Sequence, residues 1–280
     1  MSALPDMAPR RPLLRYHGGK LRLAPWIIQR FPPHRVYTEV CGGAGSVLLQ
    51  KPRSYAEVYN DLDGEICNLF RVLRNPTQAR ELVRLVSLTP YAREEFELAW
   101  LTDGDPVEQA RRTLFRSAAG FGTSGASGQW RTGFRGAVTQ SGSTPAQDWQ
   151  GMPAVLEAVA DRLRGVVIEQ MDAADCLRKY DDTQALHYID PPYPQTTRGA
   201  RWRGHAYRHE MSDDDHRRLA ATVHALKGAV VISGYACELY DRELYAGWDR
   251  YEVATHADGG RDRVEALWVK PGVTPQMRLL

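Results

Sequence analysis

Asp190-Pro191-Pro192-Tyr193 is the string whose residue types are best suited to chemistry. Two successive prolines offer carbonyl acceptors and no N–H donors, the aspartate adds a charged acceptor, and the tyrosine adds a flat aromatic face. Such a segment grips an amino group and stacks a ring. It follows directly on the apolar run Ala185 to Ile189, and in an open parallel sheet ligands bind at the carboxyl ends of strands. The simpler alternative is a turn that ends a strand.

The combination suits transfer onto an exocyclic nucleobase amine. The lone pair of that amine is delocalised into the ring, so it is a poor nucleophile until its protons are held. Asp190 and the Pro191 carbonyl would accept those protons and turn the lone pair toward an electrophile in line with it. Catalysis is then positioning and electrostatics, with no covalent enzyme intermediate. No cysteine follows a proline, and no Ser/His/Asp or H-E-x-x-H arrangement occurs.

Other strings could hold a cofactor. In Glu39-Val40-Cys41-Gly42-Gly43-Ala44-Gly45-Ser46 the glycines Gly42, Gly43 and Gly45 let the backbone approach a ligand. A helix expected at Val47 to Leu49 would turn its N-terminus toward that ligand; a tight strand-to-helix turn is the alternative. In Tyr59-Asn60-Asp61-Leu62-Asp63, Asp61 stands about twenty residues past the glycine turn, where an acid commonly meets a ribose hydroxyl pair. Asp63 is expected to cap the helix that begins at Gly64. A D-x-D metal site has no second carboxylate cluster to support it, and no metal is expected. Arg15-Tyr16-His17-Gly18-Gly19-Lys20 precedes a helix over 24–30 and would receive a carboxylate or phosphate, although Gly-Gly-Lys lacks P-loop spacing. Asp172 either caps the helix that follows it or contacts an adenine ring.

The elements that must position these strings can be read from pattern. Strand-like runs at 36–40, 55–59, 166–169, 185–189 and 229–233 alternate for the most part with helical patterns, which implies a parallel sheet. Tyr251 to Thr255 and Glu265 to Val269 flank a Gly-Gly turn near Asp258 to Asp262 and predict an antiparallel C-terminal hairpin. Ser212 before Asp213, Asp214 and Asp215 marks a helix start. Helical patterns at 78–87, 92–101, 107–118 and 153–163, with a Gly/Ser/Thr-rich loop over 120–143, break the βαβ rhythm and predict an insertion.

Ordered along the chain, these strings resemble the Dam-like class of N6-adenine DNA methyltransferases, in which the cofactor motif comes first and the recognition region is inserted before the catalytic motif. The likeness runs from Tyr16 to Trp268 and includes the closing Arg263-Val264-Glu265-Ala266-Leu267-Trp268. It implies an α/β, Rossmann-like S-adenosylmethionine-dependent methyltransferase fold. The catalytic and cofactor domain would be 1–69 with 165–280, and a mainly helical target-recognition insertion would be 70–164.

The resemblance also implies roles. Tyr16, Lys20, Asp61 and Asp190 would contact S-adenosyl-L-methionine, Lys20 toward the methionine carboxylate and Asp61 toward the ribose. Gly19, Glu39, Gly42, Gly43, Gly45 and Asp172 complete the expected cofactor set. Asp190 and Pro191, with Pro192 beside them, would hold the target amine, and Tyr193 would stack on a flipped adenine. Where the family commonly has Pro-Phe before the glycines, this chain has Val40-Cys41. That departure is the sequence support for a catalytically silent DNA-binding relic. N4-cytosine strings more often begin with serine, and RNA or protein amine strings with asparagine, so Asp190 favours adenine.

The partner is expected to be double-stranded DNA. From Arg111 to Gln147 there are five arginines and no acid, which reads as a local positive surface. Arg116, Trp130, Arg131 and Arg135, with Phe121 and Phe134 interleaved, are the candidate contacts there. A second acid-free stretch, Gln195 to His209, adds Arg198, Arg201 and Arg203. The net charge is only +2, the four cysteines are scattered without a C-x-x-C pair, and 43% of residues are hydrophobic. This is ordinary globular composition, excluding disordered, collagenous and disulfide-framework classes. No apolar stretch approaches a membrane span, and the N-terminus lacks an apolar signal region, so a cytoplasmic, nucleoid-associated protein is expected. Oligomeric state stays open, and a monomer suffices.

Overall fold

The computed structural model describes residues 11–126, 128, 130–136, 143–198, 207–256 and 262–271. Among them are the strands β1 (Val36–Glu39), β2 (Ala56–Asn60), β3 (Val166–Glu169), β4 (Ala185–Ile189), β5 (Ala229–Tyr235), β6 (Asp249–His256) and β7 (Asp262–Val269). The helices are α1 (Ala24–Ile28), α2 (Gly64–Arg74), α3 (Pro76–Leu88), α4 (Arg93–Leu98), α5 (Pro106–Ala119), α6 (Pro145–Gln150), α7 (Met152–Arg162), α8 (Ala173–Lys179) and α9 (Asp213–Ala225). Two units are formed. One comprises Met1–Pro25, Gly43–Pro52 and Asp63–Gln170, the other Trp26–Gly42, Arg53–Leu62 and Met171–Leu280.

The second unit is built on strands in the order β2-β1-β4-β5-β7-β6. β2, β1, β4 and β5 pair in parallel, with Glu39 level with Tyr59 on one side and Tyr188 on the other. β7 runs antiparallel to both β5 and β6. This is the largely parallel α/β sheet with an antiparallel C-terminal hairpin that the sequence predicts; the Gly-Gly stretch at 258–261 lies outside the described residues. β4 is buried at every position and β5 at all but its last, as strands covered on both faces should be. Val40, Val58, Ile189, Leu219, Val223, Val230, Ile232, Tyr240 and Trp268 form its core. From β1 the chain moves outward to β2 and later returns to β4 on the other side of β1, and the crevice at such a switch point is where open α/β sheets take ligands.

The first unit is mainly helical. α2 packs against α5 and α3, and α3 against α7. Helix starts follow local chemistry: Asn75 and Asp105 accept from the first-turn N–H groups of α3 and α5, each with proline at the start, and Thr144 with Gln147 forms a capping box on α6. Rings of Tyr91, Phe96, Phe115, Phe134 and Trp149 pack edge or tilted against one another. The insertion expected at 70–164 falls within this unit, which also takes in all of α2, β3 and the segments 1–25 and 43–52. α2, whose Ile66, Leu69 and Phe70 are buried, packs mainly against α5 and α3.

The helix expected at Val47 to Leu49 is not formed. Residues 43–51 make a chain of turns, with Leu49 N–H on the Gly45 carbonyl and Lys51 N–H on the Val47 carbonyl, each at 2.9 Å. Gly43 and Gly45 both sit at positive φ, 48° and 64°, and Pro52 disfavours helical backbone at Lys51. No helix among the described residues is long and apolar enough to cross a membrane.

Candidate active site

At the carboxyl end of β4 the Asp190 carboxylate is partly buried and held. Ser233 on β5 donates to Asp190 Oδ1 at 2.7 Å, and the buried Tyr188 hydroxyl lies 3.0 Å from the same Ser233 oxygen. A serine has one proton to give, so Tyr188 donates to Ser233 and Ser233 to Asp190. Pro191 is buried behind it.

Tyr193, expected to stack on a flipped adenine, is packed among neighbours on β5 and β7. It is 5% exposed, its hydroxyl donates to Glu265 on β7, and its ring packs edge-on against Tyr235 at 4.8 Å. Burial first, then the charges of Asp190 and Glu265, push the Tyr193 hydroxyl well above the usual range. The parallel β4–β5 register and the antiparallel β5–β7 register bring these groups together from residues far apart in sequence. Pro192 is flanked from α9 by His216, which is fully buried, 3.0 Å from the Tyr240 hydroxyl and lowered to about 4, chiefly by burial.

The tips of β1 and β2 and the start of α8 converge beside Asp190. Burial, then Asp61 and Asp190, then Cys176 and Asp172, raise the Cys41 thiol well above its usual range. Three acids widely separated in sequence therefore share one locale, and the thiol among them is kept protonated. Asp61 is partly buried, while Asp172 is exposed and caps α8 by accepting from Ala174 N–H at 2.8 Å. Glu39 is buried at the end of β1, accepting from the Tyr37 hydroxyl at 2.7 Å. Gly42 is required by packing: a Cβ there would lie 2.2 Å from the Tyr59 ring.

The Gly-Gly-Lys string and the later glycines belong to the first unit. The Tyr16 ring covers Gly43, where a Cβ would approach it to 2.8 Å. Gly19 N–H bonds to the Tyr16 carbonyl, and Lys20 is buried with its ammonium on the Gly18 carbonyl at 2.7 Å. This segment is docked on α5 and the loop after it: Arg15 N–H bonds Ser117 Oγ at 2.9 Å, and His17 meets Thr123 at 3.3 Å.

The arginine expectation divides. Arg116 is 3% exposed; it pairs with Glu65 at 2.6 Å and donates to the Gly125, Ala126 and Ala99 carbonyls. It holds the loop after α5 and does not present itself to a phosphate. Arg111 pairs with Glu95 and Glu108, and Arg112 with Asp103 and Glu108, so packing neutralises the acid-free window with acids from outside it. Arg198 is likewise buried, bonded to both Glu210 oxygens and to the Tyr193 carbonyl. Exposed side chains do remain on the loop, whose base is the antiparallel bridge of Gly120 with Phe134: Phe121 and Trp130 are 55% and 50% exposed, and the Arg131 side chain is exposed 3.4 Å from Glu97. Arg135 is partly buried, its N–H on the Ala119 carbonyl. Arg201 and Arg203 lie outside the described residues.

Sequence reasoning passed over Ser233, Glu265 and Asn60. Ser233 and Glu265 are polar residues at the ends of predicted strands and Asn60 directly follows one, and that polarity beside apolar runs is the signal that could have singled them out. No group of three or more metal-binding side chains occurs among the described residues.

The family model described as D12 class N6 adenine-specific DNA methyltransferase matches residues 16–256. A search of curated proteins found no match.

Proposed function

Because this chain belongs to the D12 class of N6 adenine-specific DNA methyltransferases, we propose that it takes the methyl group from S-adenosyl-L-methionine and places it on N6 of an adenine turned out of a short specific duplex sequence. The observation that carries this reading is the Asp190 carboxylate, fixed by Ser233 at the strand tip and followed by two residues that have no N–H. A paired adenine has its amine engaged and shielded, so the base must leave the stack to reach such a group. Asp190 and the Pro191 carbonyl then accept hydrogen bonds from the two amine N–H groups and leave the nitrogen lone pair pointing away from them; the one proton that methylated N6 must shed has the Asp190 carboxylate beside it as acceptor. As positive charge grows on that nitrogen, the fixed carboxylate stabilises it without reorganising.

The donor set suits the cofactor. S-adenosyl-L-methionine supplies an electrophilic methyl group on a positively charged sulfur. Asp61, Asp172 and Asp190 gather negative charge around Cys41, which favours a cation, and Asp61 suits a ribose hydroxyl pair as an acceptor. The protonated Cys41 thiol is in the wrong state to attack, in keeping with direct transfer. Tyr16, Gly19, Lys20, Glu39, Gly42, Gly43 and Gly45 are the further cofactor residues of this reading. Phe121, Trp130, Arg131 and Arg135 are its DNA-facing residues, joined on sequence grounds by Arg201 and Arg203, and the genome is its place of work.

Purified protein and Asp190→Ala should be incubated with S-adenosyl-L-methionine and unmethylated genomic DNA, and modified bases mapped by single-molecule sequencing. N6-methyladenine at one short motif, absent with the variant, is expected. DNA bound with no base modified would overturn the reading in favour of a silent binding module.

A further inference from the structure

We infer that Asn60 is a positioning residue that fixes the end of β2 against the end of β1 and the turn before α8; the inference rests on the reading of that site given above. Asn60 closes β2 and is 1% exposed. Its carboxamide donates to the Val40 carbonyl at 2.8 Å and to the Met171 carbonyl at 3.1 Å, and accepts from Met171 N–H at 3.0 Å. Its own carbonyl accepts from Gly42 N–H at 2.9 Å. Every partner is immediately beside a residue assigned to the cofactor, or is one: Val40 precedes Cys41-Gly42, Met171 precedes Asp172, and Asn60 itself precedes Asp61. One side chain thus ties the end of β1 and the turn before α8 to the end of β2.

The chemistry demands a carboxamide. Toward Met171 it gives one donor and takes one, as a neighbouring strand would, and toward Val40 it gives a second donor. Aspartate could still accept from Met171 N–H but would set a carboxylate against two carbonyl oxygens in a site closed to water. Alanine would release all three bonds without adding a charge. Preorganised loops spare a ligand the cost of ordering them, so loss of the tie should appear in cofactor affinity before it appears elsewhere.

The test compares wild type, Asn60→Ala and Asn60→Asp for S-adenosyl-L-methionine affinity by calorimetry and for duplex DNA affinity by fluorescence anisotropy, with folding checked by circular dichroism. Asn60→Ala should weaken cofactor binding about tenfold, the equivalent of one lost buried hydrogen bond, and Asn60→Asp several-fold further. DNA affinity should stay within about twofold. A folded Asn60→Ala with wild-type cofactor affinity, or one losing DNA and cofactor affinity alike, would overturn the inference alone. A wild type that binds no cofactor would overturn the reading of the site, and this inference with it. Amide exchange on the wild type needs no variant: Met171 and Gly42 N–H should be protected in the free protein, and protection arising only with cofactor would overturn the assignment.

Discussion

Ser233→Ala should separate the holding of Asp190 from the stability of the sheet. The single Ser233 proton goes to Asp190 Oδ1 at 2.7 Å, and the Tyr188 hydroxyl uses Ser233 as its acceptor at 3.0 Å. Removing Oγ therefore has two consequences. The Tyr188 hydroxyl, in a side chain 1% exposed, loses that acceptor, at a cost of about 1–3 kcal/mol of folding stability. The Asp190 carboxylate loses a charge-assisted bond worth about 1.5–3 kcal/mol, which expressed in the transition state is a roughly 10- to 100-fold fall in kcat. Tyr188→Phe removes the stranded hydroxyl. The double variant Tyr188→Phe/Ser233→Ala should then regain most of the stability and none of the rate, while Tyr188→Phe alone keeps the bond to Asp190 and its rate. Initial rates of methyl transfer to unmethylated duplex, measured beside urea unfolding for the four proteins, give both quantities. A double variant whose rate returns with its stability would refute the reasoning, because Ser233 would then act only through folding; so would Ser233→Ala at the wild-type rate.

Tyr193→Phe and Glu265→Gln touch one buried hydrogen bond, so a double-mutant cycle in urea should show about 1–2 kcal/mol of coupling; additive losses would count against the pair. His216 is neutral in the fold, lowered from 6.5 to about 4. Between those values the unfolded chain binds the extra proton, so stability is full above about pH 6.5 and falls as pH drops toward 4, by at most about 3 kcal/mol. His187, lowered chiefly by burial against the pull of Asp181, contributes with the same sign. Urea midpoints from pH 4.5 to 7.5 should show a slope that His216→Asn reduces; an unchanged slope would clear His216 of the effect. Arg116→Ala should cost about 3–5 kcal/mol by stranding Glu65 in a largely buried pair. Arg131→Ala should leave stability within about 0.5 kcal/mol and lower the salt dependence of DNA binding by about one unit of slope. Equal effects of the two on stability would undo the distinction drawn between them.

The fold was legible because β5 opens on the apolar run Ala229 to Ile232, β4 is apolar or aromatic but for His187, and helix starts carry their own chemistry, as Ser212 with Asp215 and Asp63 with Glu65 show. The acid tips were legible too, because Asp61, Asp172 and Asp190 each follow a strand directly or within three residues. What held them was not. Ser233, Glu265 and Asn60 act on residues 43, 72 and as many as 111 positions away, and only strand register reveals which polar side chain meets which tip. The helix at Val47 failed for a local reason: between the positive-φ Gly45 and Pro52 there is room only for single turns, Leu49 on Gly45 and Lys51 on Val47, and not for a continuous helix.

The arginines show why counting charge within a window misjudged the surface. The acid-free span from Arg111 to Gln147 begins inside α5, and a helix pairs a residue with partners three and four positions before it. Glu108 lies just outside the span and takes both Arg111 and Arg112; Glu65, on α2, takes Arg116 because α2 and α5 pack together. A guanidinium already bonded to a carboxylate and to several carbonyls has few donors left for a phosphate, and freeing it would strip a partly buried acid of its counter-charge. The exposed guanidinium of the window lies beyond the helix: Arg131 and Trp130 stand largely in solvent on the loop whose Gly125 and Ala126 carbonyls Arg116 holds. The same residue type thus stands in two settings within fifteen positions: Arg116 inside the fold ties down the loop, and Arg131 on the loop keeps its side chain in solvent.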